Sequence, residues 1–233
     1  MQLLKKEPLR SDELQKHIIA TYTNLRWGLV VIAFAFPVLL YIGGRVFDDL
    51  PLLDSMSQYY HSDMRNVFVG FLFAVGACLY LYKGFTPLEN YLLNFAAIFA
   101  LGVAIFPTAC REEIVCNTFT ASKPHGISAV LSFLCIALVC WFCASDTLSE
   151  MKDKAKARRY RKWYKIIGVA MAASPIVAVI LTFTLSKSSL IFFVELAAIW
   201  VFATYWLVKS LEIRDTNAEE KAAARQLTLQ ALE

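Results

Sequence analysis

Six apolar stretches, each near the 20 residues that cross roughly 30 Å of hydrocarbon at 1.5 Å per residue, constrain this chain more than any other feature. They run approximately from Trp27 to Ile42, Met64 to Tyr82, Leu88 to Phe106, His125 to Ser145, Trp163 to Leu185 and Ser189 to Val208. The residues are apolar in blocks rather than on one helical face, so the solvent they fit is lipid. Composition agrees, with 58% hydrophobic and only 18% charged residues, where soluble domains carry about a quarter charged. A length of 233 residues leaves room for one bundle and no separate soluble domain.

The expected fold is therefore all-α, an integral membrane bundle of six transmembrane helices over residues 27–208. Residues 1–26 form an N-terminal arm, in which Leu9, Leu14, Ile18 and Tyr22 recur at spacings that suit an interfacial helix. Residues 209–233 form a tail rich in helix formers. The mixed arm ahead of the first block does not read as a signal peptide, so the first span is expected to stay in the protein. Pro37 and Pro175 fall inside spans and predict kinks that neighbouring helices accommodate.

Charge sets the orientation. Of the 23 lysines and arginines, 18 fall on the side shared by the two ends, eight of them between Lys152 and Lys165. By the positive-inside rule both ends are cytoplasmic and the loops after spans 1, 3 and 5 face outward. The multi-pass chain is expected in the plasma (inner) membrane. In KDKAKARRYRKWYK the basic residues alternate with Tyr160, Trp163 and Tyr164, a pattern that suits anionic lipid headgroups over residues 152–165. Positive charge placed beside spans, rather than along a groove-reading element, argues against nucleic acid as a partner.

Four of the six cysteines (Cys78, Cys135, Cys140 and Cys143) lie inside spans and read as packing residues. Cys110 and Cys116 share the outward loop after span 3, where an oxidising compartment permits a disulfide.

Ionisable groups at membrane depth are costly and tend to mark function. The segment from Ser57 to Asn66, containing His61, Asp63 and Arg65, precedes span 2 on the outer side, and His125 opens span 4 from the same side. Glu195 lies roughly 9 Å below the outer end of span 6, six residues into a helix that starts at Ser189. Adjacent spans 2, 4 and 6 would line one outward-opening pocket with Ser57, His61, Asp63, Arg65, His125 and Glu195. Two imidazoles and a carboxylate, His61, His125 and Glu195, fill three positions around zinc and leave a fourth for water. Without metal, a histidine activates Ser57 as nucleophile while Asp63 orients the imidazole. Arg65 is the candidate cofactor-binding cation. Each residue also has a structural role open to it: Asp63 as a helix cap, His125 at a helix start, Glu195 paired with Arg65 or a histidine for packing alone.

The S-M-S segment after span 1, the H-G-I-S-A-V-L-S-F stretch opening span 4, the basic loop after it and F-F-V-E-L-A-A-I-W in span 6 resemble the six-helix Frag1/DRAM/Sfk1 group and bacterial proteins of the DUF998 type. That resemblance implies a role with membrane lipids, through a pocket that recognises or processes a headgroup. Ser57-Q-Y-Y-His61 is also similar to the Ser-x-x-x-His pattern of the CREST membrane hydrolases, which implies a metal-dependent lipid amidase or esterase. Those proteins have seven spans and a histidine pair in the last, where this chain has Glu195. A channel or transporter is a third class, but the sequence shows neither a repeated half nor a matched pair of broken helices.

Overall fold

A computed structural model describes residues 11–110, 122–149, 151–184 and 189–222. Its regular structure is helical throughout, with no strand among the described residues. Helix α1 spans Ser11–Phe47, α2 Arg65–Leu81, α3 Pro87–Ile105, and α4 Ser122–Leu138. A π-helical turn, Val139–Cys143, carries α4 into the short α5, Ala144–Leu148, and α6 (Lys154–Thr184) and α7 (Leu190–Thr216) follow. Five rods are long and apolar enough to cross a membrane: α1, α3, α4 continued through α5, α6 and α7. Helix α2 is apolar but has 17 residues, roughly 26 Å of rise.

Local sequence explains the ends. Thr86 accepts from the Glu89 backbone N–H at 3.3 Å, with Pro87 in the first turn, so α3 starts where an orphan donor is capped and no N–H is wasted on proline. Asp153 does the same for α6, accepting from the N–H groups of Ala155 and Lys156. Helix α7 stops at Asn217, whose φ of 51° is left-handed, a conformation asparagine tolerates.

The rods close into a ring. Each packs on the next in chain order, α1 on α2, α2 on α3, α3 on α4, α4 on α6 and α6 on α7, and α7 returns onto α1. At α3 and α4 the backbones approach closely enough that a Cβ on Gly102 would meet Ser128. Inside the ring lie two apolar clusters, one around Leu29, Leu93, Ala203 and Trp206, the other around Phe36, Leu40, Tyr59 and Phe192. Outward-facing Val31, Phe95, Ile127, Ile180 and Phe193 are exposed, which fits a hydrocarbon surround.

At both ends the helices run past the apolar blocks. The arm from Ser11 to Arg26 is helical and continues without a break into the first block as α1. Helix α7 continues past Val208 to Thr216, so the start of the 209–233 tail is helical, with Lys209, Ser210 and Glu212 buried within the bundle. Cys110 is disulfide-bonded, while its expected partner Cys116 lies outside the described residues.

Candidate functional site

The segment between α1 and α2 folds into the end of the ring instead of lying across it. Leu50 N–H donates back to Gly44 O at 3.0 Å, Asp49 takes a left-handed φ of 49°, and the chain then reaches α7, where Phe192 N–H donates to Asp54 O at 2.8 Å. A short 3₁₀ helix, Met56–His61, follows with Ser55 as N-cap. Met56, Tyr59 and Tyr60 are buried in the cluster around Phe36, Leu40 and Phe192. Gly44 makes this possible, because a Cβ there would stand 2.6 Å from the Tyr59 ring. Irregular backbone at such depth is tolerated where protein surrounds it and its polar groups are satisfied.

Glu195 on α7 supplies that satisfaction. Its carboxylate accepts the Met56 N–H at 2.6 Å and the Ser55 hydroxyl at 2.9 Å, and Ser55 Oγ in turn accepts the Ser57 N–H at 3.1 Å. Ser57 is thereby fixed by α7, 138 residues away in sequence, through one intervening serine.

His125, 6% exposed, completes the arrangement. Its Nδ1 lies 2.7 Å from the Phe106 carbonyl at the end of α3, and its Nε2 lies 3.0 Å from Ser57 Oγ. A carbonyl only accepts, so Nδ1 carries the proton and the neutral ring presents a bare Nε2 to the Ser57 hydroxyl, which donates to it. This is a base and a nucleophile in hydrogen-bond reach, with the base held in the tautomer that reaction requires.

Ser57 and Glu195 stand between two spaces. A cavity of about 150 Å³ at the ring centre is lined by Phe36, Leu72, Ala100, Phe133 and Ile199 as well as by Ser57 and Glu195. A groove of about 480 Å³ lies between α4, α6 and α7, with Ser55, Ser57, Gln58, Lys123, His125 and Glu195 in its lining. Ala129, Phe133, Ala178, Val194 and Ala198 add apolar surface, and the hydroxyls of Ser174 and Thr182 donate to carbonyls of α6 itself. Helix α6 leaves room for it: no residue of α6 beyond Met171 is buried, and Pro175 lines the groove.

The remaining expected site residues sit elsewhere. His61 Nε2 lies 3.0 Å from the Thr108 carbonyl, and the His61 ring packs edge-on to Tyr60. Asp63 neither caps α2, whose N-cap Met64 makes no side-chain bond, nor orients a histidine. It is exposed, accompanies Asp48 and gives its N–H to Asp48 Oδ2 at 2.8 Å; the neighbouring carboxylate raises its carboxyl above the ordinary aspartate range. Arg65 is exposed, donates to Tyr60 OH at 2.7 Å and stacks 4.5 Å over that ring, which ties it to the 3₁₀ helix. The zinc set of His61, His125 and Glu195 is not assembled, and among the described residues no three histidines, cysteines or carboxylates converge as metal ligands. His125 spends one nitrogen on Phe106 and the other on Ser57, which leaves no lone pair for zinc without breaking the contact to Ser57.

At the opposite end of the ring lies a polar network with no counterpart in the expected site. Lys209 Nζ lies 3.1 Å from Glu212 Oε2 and donates to Thr147 Oγ1 at 3.0 Å, and Tyr164 OH donates to the same Glu212 oxygen at 2.9 Å. Glu212 Oε1 is buried with no hydrogen-bond partner. Arg26 of α1, also buried, pairs with Glu219 beyond α7 and with Thr23. The readable signal was the spacing of Tyr205, Lys209, Glu212 and Thr216, four residues on one stripe of α7, all buried.

No protein-family model, curated protein or solved structure matches the chain.

Proposed function

We propose that the chain is a six-span protein of the plasma (inner) membrane, both ends cytoplasmic, whose outward-facing groove recognises or processes a lipid headgroup. Helix α2 is the remaining span, and the predominance of lysine and arginine at the Lys209 end sets the orientation. The observation that carries the reading is the groove itself. It is lined by the connected side chains of Ser57, His125 and Glu195 together with apolar residues of α4, α6 and α7. Its volume of about 480 Å³ falls in the range of small-ligand sites. A lipid fits such a mixed lining, with its headgroup at Ser57 and His125 and an acyl chain between the helices. The likeness to Frag1/DRAM/Sfk1 proteins points to the same class of ligand, and the basic start of α6 suits anionic headgroups on the cytoplasmic face.

The test is lipid occupancy. Protein purified in mild detergent should carry lipid detectable by native mass spectrometry, and a photoreactive phospholipid should crosslink to residues on α4, α6 and α7. Glu195→Gln keeps the shape but weakens the anchor of the 3₁₀ helix, so occupancy should fall while the fold persists. Equal occupancy in the variant, or crosslinks confined to the outer surface of the ring, would remove the groove from the function.

A further inference from the structure

We propose that Ser57 is the covalent nucleophile of a metal-free hydrolase acting on lipid acyl esters, with His125 as its general base. The inference rests on the groove as a lipid site and adds chemistry to it. Its ground is the Ser57 Oγ to His125 Nε2 distance of 3.0 Å, with Nδ1 tied to the Phe106 carbonyl at 2.7 Å. Capping the end of α3 needs only the Nδ1 bond. It does not need the second nitrogen turned towards a hydroxyl that lines both the central cavity and the lipid groove.

The reaction balances with water as the only co-reactant. Ser57 Oγ bonds to the ester carbonyl carbon while its proton passes to His125 Nε2. The acyl–oxygen bond then breaks, and the leaving alcohol takes that proton. Water next gives a proton to Nε2 and its hydroxide adds to the acyl carbon, so Ser57 leaves, recovers the proton and frees the fatty acid. Phe106 replaces the acidic third member found in many triads. A neutral carbonyl fixes the tautomer but gives little support to the imidazolium that forms, which predicts a slow enzyme. Glu195 is a positioning residue that acts through Ser55. Lys123, an exposed cation lining the same groove, suits the phosphate of a headgroup, so a phospholipid is the substrate class.

The experiment uses the full chain in detergent and a dodecyl fluorophosphonate probe, in which the serine oxygen bonds to phosphorus and fluoride leaves. Mass spectrometry of the wild-type protein should place one adduct on Ser57. His125→Gln should slow labelling about 100-fold or more, the usual scale of general-base assistance. Hydrolysis of 4-nitrophenyl laurate should fall in parallel, with both proteins assayed well below their own melting temperatures. Labelling as fast in His125→Gln as in wild type would overturn the dyad. Absence of a Ser57 adduct in protein whose groove still crosslinks photoreactive phospholipid overturns the nucleophile alone, and absence of both adduct and crosslink overturns the groove as well.

Discussion

Replacing Lys209 by methionine should destabilise the bundle. Its side chain is 1% exposed, and Nζ lies between Glu212 Oε2 at 3.1 Å and Thr147 Oγ1 at 3.0 Å, with the Phe85 ring 5.4 Å away. Methionine fills the space but leaves Glu212, itself 0% exposed, with Tyr164 OH as its remaining donor. Breaking one side of a buried ion pair costs about 3–5 kcal/mol. For a domain of this size that corresponds to a melting temperature lower by roughly 6–20 °C. The loss should come from the stranded carboxylate, so the double variant Lys209→Met with Glu212→Gln should regain much of it. Thermal unfolding in one detergent, followed by tryptophan fluorescence, measures all three proteins. A single variant within about 1 °C of wild type, far inside the expected shift, would refute the reasoning, as would a double variant no more stable than the single.

Gly44→Ala should push the Tyr59 ring, 2.6 Å from the new Cβ, and cost about 1–3 kcal/mol in overpacking; melting checks the cost, and slower fluorophosphonate labelling checks that the 3₁₀ helix positions Ser57. Asp153 has its carboxyl held below the ordinary aspartate range by the N–H groups of Lys156 and Ala155. Its contribution to the start of α6 is therefore full above the unfolded value and lost as pH falls through the lower folded value. Amide exchange at Ala155 and Lys156 should speed up on acidification, and Asp153→Asn should abolish that pH dependence while keeping a cap. Cysteines placed near Asp54 and Ser122 should react with an impermeant reagent from outside and one near Lys156 should not; labelling of all three from one side would discard the six-span topology.

How much of this was legible follows from what kind of pattern each feature leaves. The rods left an apolar block each, and among the described residues every block matches helix to within a residue at its ends, because block length follows from hydrocarbon thickness. Glu195 and His125 stood out as polar residues in apolar surroundings. Ser55, which joins Glu195 to Ser57, did not, since its role comes from capping a helix of six residues that no periodicity announces. Asp63 and Arg65 were read as site residues from proximity in sequence, but an inward fold of the preceding loop turns Ser57 and Asp63 to different surroundings. Lys209 and Glu212 fall in the helix-forming tail of the sequence, and counting charges along it ignores the stripe that carries them into the bundle.

Closure of the ring by α7 onto α1 also ties the two polar networks to a single docking event. Until α7 packs against the other helices, Ser55 and Met56 have no Glu195, Thr147 has no Lys209, Tyr164 has no Glu212 and Arg26 has no Glu219. One helix thus completes the bonds at both ends of the ring at once, and a change that loosens α7 at either end weakens the other.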